Sequence, residues 1–267
     1  MVFKKLLWTF KRHPALYKAR FRLLSKNSSI EDIAGYDYNE VNPREDMPFY
    51  FEEVNTRIFK DGKPGDDLDR VKAISVWLNA HIKGGPGLSE ASEHALKLML
   101  EGKGGVCSDM TQIFNNFCVL NDLQVREWGV TRAPFDKDYG GHSFNEVYCK
   151  EFGKWVLIDP SWGFIFYDAY GTPLSVLDVY HLRGQEELVF KSFLEGGEVD
   201  VDNLYNNYLD ARNVPFLICN YSNKTYDTFL KVARPFVPVF ILHFTVFMLQ
   251  KSYHYRFPMD DYKRIFL

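Results

Sequence analysis

Three hydrophobic segments of strand length follow one another in the middle of the chain, and they constrain its fold more than any other feature. Their predicted bounds are 125–131, 142–149 and 155–158. Glycine, proline and aspartate, which are typical of turns, lie between them. Because consecutive strands joined by turns usually pair as antiparallel neighbours, the sequence predicts an antiparallel meander.

Helical patterns precede these strands. Apolar residues recur three and four apart over 66–82 and predict an amphipathic helix. A second helix is predicted from Ser89, as its N-cap, to Glu101. A third begins at Cys107, and its predicted buried face contains Met110, Phe114, Phe117, Cys118 and either Leu120 or Leu123. Helices followed by an antiparallel meander predict an α+β fold.

The segments on either side are harder to interpret. Residues 27–67 are polar and contain several prolines and glycines, which predicts loops with little regular structure. Residues 178–194 are predicted to be helical. Residues 235–249 form the most apolar run of the chain, but fifteen residues with two prolines are short for a membrane span. We predict a buried strand or core helix there, with a membrane-apposed segment as the alternative.

Charge is distributed unevenly along the chain. Residues 1–30 contain eight Lys or Arg and no acid, which leaves 24 basic and 35 acidic residues in the remainder. The overall net charge of −3 argues against a nucleic-acid binder. We call residues 1–30 the basic arm. Its sequence predicts an amphipathic helix that ends or kinks at Pro14, with an apolar face of Phe3, Leu6, Leu7 and Phe10. Residues 1–26 fit either an anionic membrane surface or docking on the protein's own acidic body.

The cysteines exclude two common kinds of site. The four of them show neither a paired spacing nor a dense framework, and they are Cys107, Cys118, Cys149 and Cys219. A zinc cluster and a disulfide scaffold are therefore not predicted, and we expect no metal and no cofactor. Reduced thiols and the lack of a recognisable signal peptide indicate a cytoplasmic protein, with membrane association through the arm as the alternative.

Cys107 is a candidate nucleophile because it is predicted in the first turn of a helix. Unpaired backbone N–H groups and the helix dipole favour the thiolate, which is the form that attacks an acyl carbon. The same N–H groups can form part of an oxyanion hole. Gly104 and Gly105 are predicted to leave room for a substrate backbone. The alternative for Cys107 is a small buried apolar residue, the usual state of a free cysteine.

His142 and Asp159 are candidates for the base and for the group that orients it. His142 begins the second predicted strand, and Asp159 ends the third, directly before Pro160. If the two strands pair through a turn at Phe152 and Gly153, the carboxylate lies beside the imidazole and can fix its tautomer. Taken singly, the histidine has a structural alternative and the aspartate a turn-forming one. Together with the cysteine they predict a nucleophile–base–orienter triad.

Three segments around these residues resemble motifs of the transglutaminase-like superfamily. They are GGVC at 104–107 with Thr111 one turn later, GHSFNEVY at 141–148 and KWVLIDPSWG at 154–163. The resemblance covers residues 70–163. It implies a papain-like core, in which the helix bearing Cys107 packs on an antiparallel sheet carrying His142 and Asp159, with helical additions at both ends.

The resemblance also implies an activity. Cys107 would attack an amide or ester carbonyl, His142 would exchange the proton, and the acyl-enzyme would pass to water or an amine. The implied partner is a protein, peptide or other amide-containing substrate, and not a nucleic acid. Crosslinking members carry Trp where this chain has Ser108, and commonly Trp where it has Phe144. Calcium loops and flanking sandwich domains are not recognisable, so the sequence favours hydrolysis over calcium-dependent crosslinking.

Several further residues are predicted to bind substrate or support the site: Gly105, Ser108, Asn145, Glu146, Trp162 and Trp77. Trp77 is either a second oxyanion donor or a core residue of its amphipathic helix. A metal site built from Cys107, His142 and Asp159 is the rival interpretation, but their spacing fits no usual zinc pattern.

The predicted domain organisation has four parts. They are a basic arm at 1–30, an irregular lead-in at 31–69, a transglutaminase-like core at 70–163 and an aromatic-rich extension packing on the core at 164–267. The functional alternative to acyl transfer is a catalytically idle scaffold that binds a protein partner or a membrane surface.

Overall fold

One eight-stranded sheet organises the fold and confirms the predicted α+β class. The structure is a computed structural model that describes residues 14–267 except 137, 186–187, 195, 197–199 and 235, with side chains from residue 18 onward. The strands are β1 (Ser25–Asn27), β2 (Val125–Arg132), β3 (His142–Cys149), β4 (Lys154–Asp159), β5 (Phe164–Tyr167), β6 (Val189–Ser192), β7 (Asn213–Cys219) and β8 (His254–Phe257). Their order is β1-β8-β7-β2-β3-β4-β5-β6, with only β1 and β8 parallel among these described strands.

Helices flank the sheet. They are α1 (Pro14–Leu24), α2 (Ile30–Ala34), α3 (Phe49–Ile58), α4 (Asp67–His81), α5 (Ser92–Leu100), α6 (Cys107–Leu120), α7 (Val176–Leu182), α8 (Val201–Leu204), α9 (Asn223–Ala233) and α10 (Val239–Met248). A π-helical turn at Tyr205–Leu209 follows α8, and 3-10 turns lie at Arg44–Asp46 and Tyr262–Phe266. The predicted helix of the arm around residues 3–10 lies outside the described residues.

Strands β2, β3 and β4 are the predicted meander. β3 pairs with β4 in antiparallel register, with Val147 opposite Val156. Side chains alternate between the faces of a strand, so β3 directs Val147 towards α6 and Phe144 towards the opposite face. The sheet thus has a core on each face, and the first residues of α6 lie near the start of β3 and the end of β4.

Helix α6 is the central helix of the core on the face of the sheet towards which Val147 points. Most of its side chains are buried, on every side of the helix, as expected for a helix that is apolar or amide-bearing all round. Phe51 of α3, Ile74 of α4 and Leu96 of α5 are buried in the same cluster as Phe117 of α6. This cover fixes α6 firmly and therefore fixes the position of Cys107 at its first turn.

The lead-in predicted to be irregular at 31–69 contains α2, α3 and the beginning of α4, so that prediction is wrong. Arg126 of β2 explains part of the order. Its guanidinium donates to the carbonyl oxygens of Tyr36 at 2.6 Å and Ile33 at 2.9 Å, and also to that of Ala34. These carbonyls lie at the end of α2 and beyond, where a helix leaves acceptors without partners. The stabilising group lies about ninety residues away and leaves no local pattern.

Residues 164–267 are not an extension that packs on the core, as predicted, but part of its sheet. β5 and β6 continue the sheet beyond β4, and β7 pairs with β2 from Glu127 opposite Ile218 to Arg132 opposite Asn213. The predicted boundary at residue 163 therefore separates strands that are hydrogen-bonded neighbours. Backbone pairing has no sequence signature at such separations, which is why hydrophobic pattern alone missed it.

Two predicted helices have other bounds. The structure begins α5 at Ser92, whereas Ser89, the predicted N-cap, has a left-handed φ of 51°. The carboxylate of Asp227 in α9 accepts hydrogen bonds from the backbone N–H of Ser92 at 2.7 Å and from its hydroxyl at 2.5 Å. The first turn of α5 is thus capped from a distant element. The segment 178–194, predicted as one helix, holds the end of α7 and then β6.

Each of the two terminal segments contains a helix that packs on the body of the protein. From residue 14 the basic arm is α1, whose Phe21 is buried against Phe216 and Tyr255, so this part docks on the body of the protein. The apolar run predicted as strand or core helix forms α10, with Leu242 and Val246 buried. No helix among the described residues is long and apolar enough to cross a bilayer.

We predict that the two halves of the sheet unfold together. Leu217→Ala removes a fully buried side chain of β7 and should lower the free energy of unfolding by about 2–5 kcal/mol. Val189→Ala, on the edge strand β6 and 39% exposed, is the matched control and should have little effect. The measurement is denaturant unfolding followed by both tryptophan fluorescence and circular dichroism. Two separate transitions, with only one shifted by Leu217→Ala, would contradict the single sheet.

Candidate active site

Cys107 is the first residue of α6, and its thiol is partly exposed, whereas the other three cysteines are buried. The first backbone bond of the helix runs from the N–H of Met110 to the carbonyl of Val106 at 3.0 Å. Helix geometry consequently leaves the N–H groups of Cys107, Ser108 and Asp109 without an acceptor inside the helix. Ser108, the next residue, is exposed. These N–H groups and the helix dipole favour negative charge at this end of α6.

Asp109 holds the start of α6 in place. Its carboxylate accepts from the backbone N–H of Val106 at 3.0 Å and from that of Leu88 at 3.2 Å. We did not predict this residue as part of the site. A signal was present, because an acidic side chain at the third helical position commonly reaches back to the preceding backbone.

Gly104 and Gly105 have a different role from the predicted one. Both have positive φ, 145° and 120°. A Cβ at Gly104 would lie 2.5 Å from the carbonyl oxygen of Pro86, and one at Gly105 would lie 2.7 Å from the side chain of Met99. The N–H of Gly105 also donates to Pro86 at 3.0 Å. The close approach that requires glycine is therefore to Pro86 and Met99 of the protein itself, not to a substrate.

His142 lies at the start of β3 and connects the other two members of the predicted triad. Its Nε2 lies 2.6 Å from Oδ2 of Asp159, which leaves Nδ1 for the thiol of Cys107. Burial lowers the pKa of His142, but the charge and hydrogen bond of Asp159, together with the thiol, outweigh it and raise the pKa to about 10. A protonated imidazole is therefore favoured at neutral pH.

The pKa of the Cys107 thiol moves in the opposite direction. Burial raises it, but the hydrogen bond and positive charge of His142 and the backbone N–H of Ser143 lower it by more. The net result is a pKa below that of an ordinary thiol. Together the two shifts favour a thiolate–imidazolium pair, which is the reactive form of a nucleophilic cysteine.

Asp159 is completely buried and is held by four hydrogen bonds. Its Oδ1 accepts from the backbone N–H groups of Ser161 at 2.8 Å and Trp162 at 3.1 Å. Its Oδ2 accepts from His142 at 2.6 Å and from the hydroxyl of Tyr208 at 2.7 Å. The turn after β4 thus orients the carboxylate, and a buried anion of this kind requires such donors.

Tyr208 is a contact that the sequence did not reveal. It lies in the π-helical turn at 205–209, is fully buried and places its ring edge-on to His142 at 5.8 Å and 78°. Burial, with the charge of Asp159, raises its pKa well above the usual range, so the hydroxyl stays protonated and donates. It follows the triad by about fifty residues and has no motif around it that marks it.

Trp162 covers the exposed side of the imidazole. Its ring stacks on His142 with 4.4 Å between centroids and 11° between planes. An indole face attracts a cation, so this contact favours the protonated imidazole and restricts its rotation. The predicted supporting role of Trp162 is compatible with this position.

Asn145 is fully buried and supports α6, the helix that begins at Cys107. Its Nδ2 donates to Oδ1 of Asn115 at 2.7 Å, and Asn115 in turn donates to Glu127 at 3.1 Å. Thr111 also donates to Glu127, at 3.3 Å. Burial raises the pKa of Glu127 to about 7, although the hydrogen bonds of Thr111 and Asn115 oppose it. This buried polar network joins α6 to β2 and β3.

Glu146 lies on the other face of β3. Its Oε2 accepts from the indole N–H of Trp128 at 3.0 Å and from Arg126 at 3.5 Å, and its Oε1 accepts from the backbone of Val176 at 2.9 Å. It therefore connects the sheet to α7 at a distance from the thiol.

Trp77 is not brought to the triad. It stacks on His81 at 4.0 Å and lines a surface cavity of about 520 Å³ together with Tyr50, Arg57, Lys60, His81 and Leu100. None of Cys107, His142 or Asp159 lines this cavity. The interpretation of Trp77 as a second oxyanion donor is therefore wrong, because its side of α4 faces α3 and α5 and not the start of α6.

A metal is not needed to explain the arrangement. The described part of the chain contains no group of three or more His, Cys, Asp and Glu side chains placed to hold a metal ion. Instead, the side chain of His142 lies between those of Cys107 and Asp159 and forms a hydrogen bond with each.

Comparison with known proteins agrees with the motifs. Residues 54–160 match the sequence model of the transglutaminase-like superfamily, and this span contains all three predicted triad residues. No curated protein matches the chain. Among solved structures, it is similar to a candidate cysteine protease from Cytophaga hutchinsonii, with 17% identity over 60% of this chain and 53% of that one, and a TM-score of 0.35.

This chain therefore spans about half the length of that solved protein, and the likeness is too distant to carry further argument. The match to the family is independent of it and includes the helix of Cys107 and the strands of His142 and Asp159. Residues 54–160 are thus similar in sequence to the transglutaminase-like superfamily, as the three motifs predict.

Proposed function

We propose that this protein transfers acyl groups from an amide or ester through a thioester on Cys107, and that water is the usual acceptor. One observation carries the proposal: a buried His142 is bonded to Asp159 at 2.6 Å through one ring nitrogen, while the other is directed to a partly exposed thiol. The remaining cysteines are buried, with pKa values raised by burial, so Cys107 is the thiol suited to attack.

The first half-reaction forms the thioester. The Cys107 thiolate adds to the carbonyl carbon, and the oxyanion that develops is stabilised by the unpaired N–H groups at the start of α6. The tetrahedral intermediate then collapses, and the C–N or C–O bond to the leaving group breaks. The imidazolium of His142 gives its proton to the departing amine or alcohol, while Asp159 keeps the ring oriented.

The second half-reaction releases the acyl group. Neutral His142 takes a proton from water, the resulting hydroxide adds to the thioester carbonyl, and the C–S bond breaks to regenerate the thiolate and imidazolium. Support for water over an amine comes from Ser108, an exposed residue directly after Cys107 that stands where crosslinking members carry Trp. A small polar residue there leaves the thioester open to solvent.

We expect iodoacetamide to alkylate Cys107 at a pH below the range of an ordinary thiol. The reason is the lowered pKa of the thiol. Burial raises this pKa, but the hydrogen bond and charge of His142, which contribute most of the lowering, outweigh it. As pH falls through that lowered value the thiolate is protonated and alkylation slows. His142→Ala removes the opposing charge and leaves burial, so its profile should shift to higher pH. The measurement is the rate of mass gain at Cys107 against pH.

Cys107→Ser is the control, because the three buried cysteines should then react slowly throughout the neutral range. Identical profiles for the wild type and His142→Ala would contradict an activated nucleophile. That result would favour the alternative of an idle scaffold with the same fold.

We expect Tyr208→Phe to slow acylation by 4-nitrophenyl acetate by about tenfold, because Asp159 loses one of its donors and orients His142 less well. Tyr180→Phe is a matched control. Its hydroxyl is equally buried and bonds the backbone of Asn207 at 3.2 Å, without contact to the triad. Both variants should lose a similar free energy of unfolding. Only the rate of the nitrophenolate burst should therefore distinguish them. Equal bursts would show that Tyr208 has no positioning role.

The choice of acceptor is tested by partition of the acetyl thioester. With cadaverine in excess, we expect acetate as the main product and an unchanged turnover rate, because water reaches the thioester beside Ser108. Ser108→Trp introduces the side chain of crosslinking members and should increase the acetylated cadaverine detected by mass spectrometry. If the wild type already makes mainly the amide, transfer to amines is the natural reaction.

A further inference from the structure

Helix α10 presents an apolar face to solvent. Ile241, Phe244, Thr245 and Met248 follow a spacing of three, four and seven residues and are exposed, with Phe244 at 57% and Met248 at 62%. The hydroxyl of Thr245 donates to the carbonyl of Ile241 at 2.9 Å, so even the polar member of this face has its donor satisfied within the helix. We call these four residues the α10 face.

Further exposed apolar side chains lie close to α10 in sequence. Phe236, before the helix, is 86% exposed, and Leu249, directly after it, is 53% exposed. Val232 at the end of α9 is exposed as well. Single exposed apolar residues are ordinary on a protein surface, but a contiguous group of this kind marks a site of interaction.

The opposite side of α10 is fixed in the protein, so the helix cannot turn its apolar face inward. Leu242 and Val246 are buried in a hydrophobic cluster that also contains Phe216 and Tyr253. His243 contacts the rings of Tyr226 at 5.4 Å and Tyr253 at 6.2 Å. Burial lowers the pKa of His243 to about 3, so it remains neutral in this packing.

The charged residues of the segment that contains α10 all have one sign. From residue 228 to residue 259 the sequence contains no Asp or Glu, although the chain beyond residue 30 carries a large acidic excess. Lys231 and Lys251, both exposed, lie in sequence on the two sides of α10, and neither forms an ion pair with another described residue.

We propose that the α10 face binds an anionic lipid surface, with α10 lying in the plane of the interface. Ten residues of helix measure about 15 Å, half of a hydrocarbon core, so the helix cannot span the membrane and must lie along it. Apolar side chains would enter the boundary between headgroups and acyl chains, while Lys231 and Lys251 meet lipid phosphates. In a two-fold contact with a second copy the same lysines would face each other, so the charge favours an anionic lipid surface over a second copy of the chain.

The proposal is independent of the chemistry of Cys107, since binding can be measured without turnover. The test is flotation of the full chain with vesicles of phosphatidylcholine alone and with added phosphatidylserine. The wild type should float only with the anionic vesicles, and less at high salt because the attraction is screened. Phe244→Glu should reduce the bound fraction by about tenfold or more, since a buried ring is lost and a like charge is added.

Phe49→Glu is the matched control, because Phe49 is an exposed phenylalanine, 69% accessible, at the start of a different helix. It should float like the wild type. Lys231→Glu with Lys251→Glu should weaken anionic binding while leaving the apolar face intact. Unchanged circular dichroism and unchanged alkylation of Cys107 would show that the variants are folded.

Three kinds of outcome would overturn the proposal. The first is a failure of the flotation test: either the wild type does not float with anionic vesicles, or Phe244→Glu floats as well as Phe49→Glu. The second is lipid-free wild type that sediments as a dimer dissociated by Phe244→Glu, which would assign the face to a second copy. The third is flotation that appears only after residues 1–13 are removed, which would assign it to the chain's own arm.

Discussion

The bond between His142 and Asp159 is the interaction on which the site depends. A carboxylate without solvent contact is costly unless donors surround it, and here two backbone N–H groups, an imidazole and a phenol do so. These donors require the sharp turn after β4 and the approach of residues 205–209 from another part of the chain. The charge of Asp159 then holds the imidazole protonated, and the imidazolium lowers the pKa of the Cys107 thiol. Each step depends on the one before it.

The position of Tyr208 shows why the C-terminal region cannot be separated from residues 54–160, which match the family. The family match ends at residue 160, yet the hydroxyl that completes the set of donors around Asp159 comes from residue 208. The turn that carries it leads directly into β7, which pairs with β2 in the middle of the sheet. The same strands that stabilise the core therefore place a side chain at the site. A boundary drawn at the end of the motifs would divide one structural unit.

Sequence predicted what is local and missed what is remote. The triad lies at the ends of elements with clear periodicity, so the helix of Cys107 and the pairing of β3 with β4 could be anticipated. Order in α2 depends on Arg126, and the cap of α5 depends on Asp227, both far away in sequence. Gly104 and Gly105 were recognised as positions that need glycine, but the close neighbour is Pro86 or Met99 and not a substrate. Residue type revealed the backbone requirement, whereas only packing reveals its cause.

The apolar run at 235–249 illustrates a second limit of sequence patterns. A helix with apolar residues on all sides has no polar stripe to indicate which side faces the core, so periodicity permits burial, a strand or a membrane surface alike. The structure decides the orientation by placing Leu242 and Val246 inward, and what remains outward is Phe244, Met248 and their neighbours. An amphipathic helix of a water-facing surface would carry charges there. The absence of charges from this face, in a segment whose own charges are all positive, is the physical reason to expect lipid against it, while the opposite side of the helix packs on the protein.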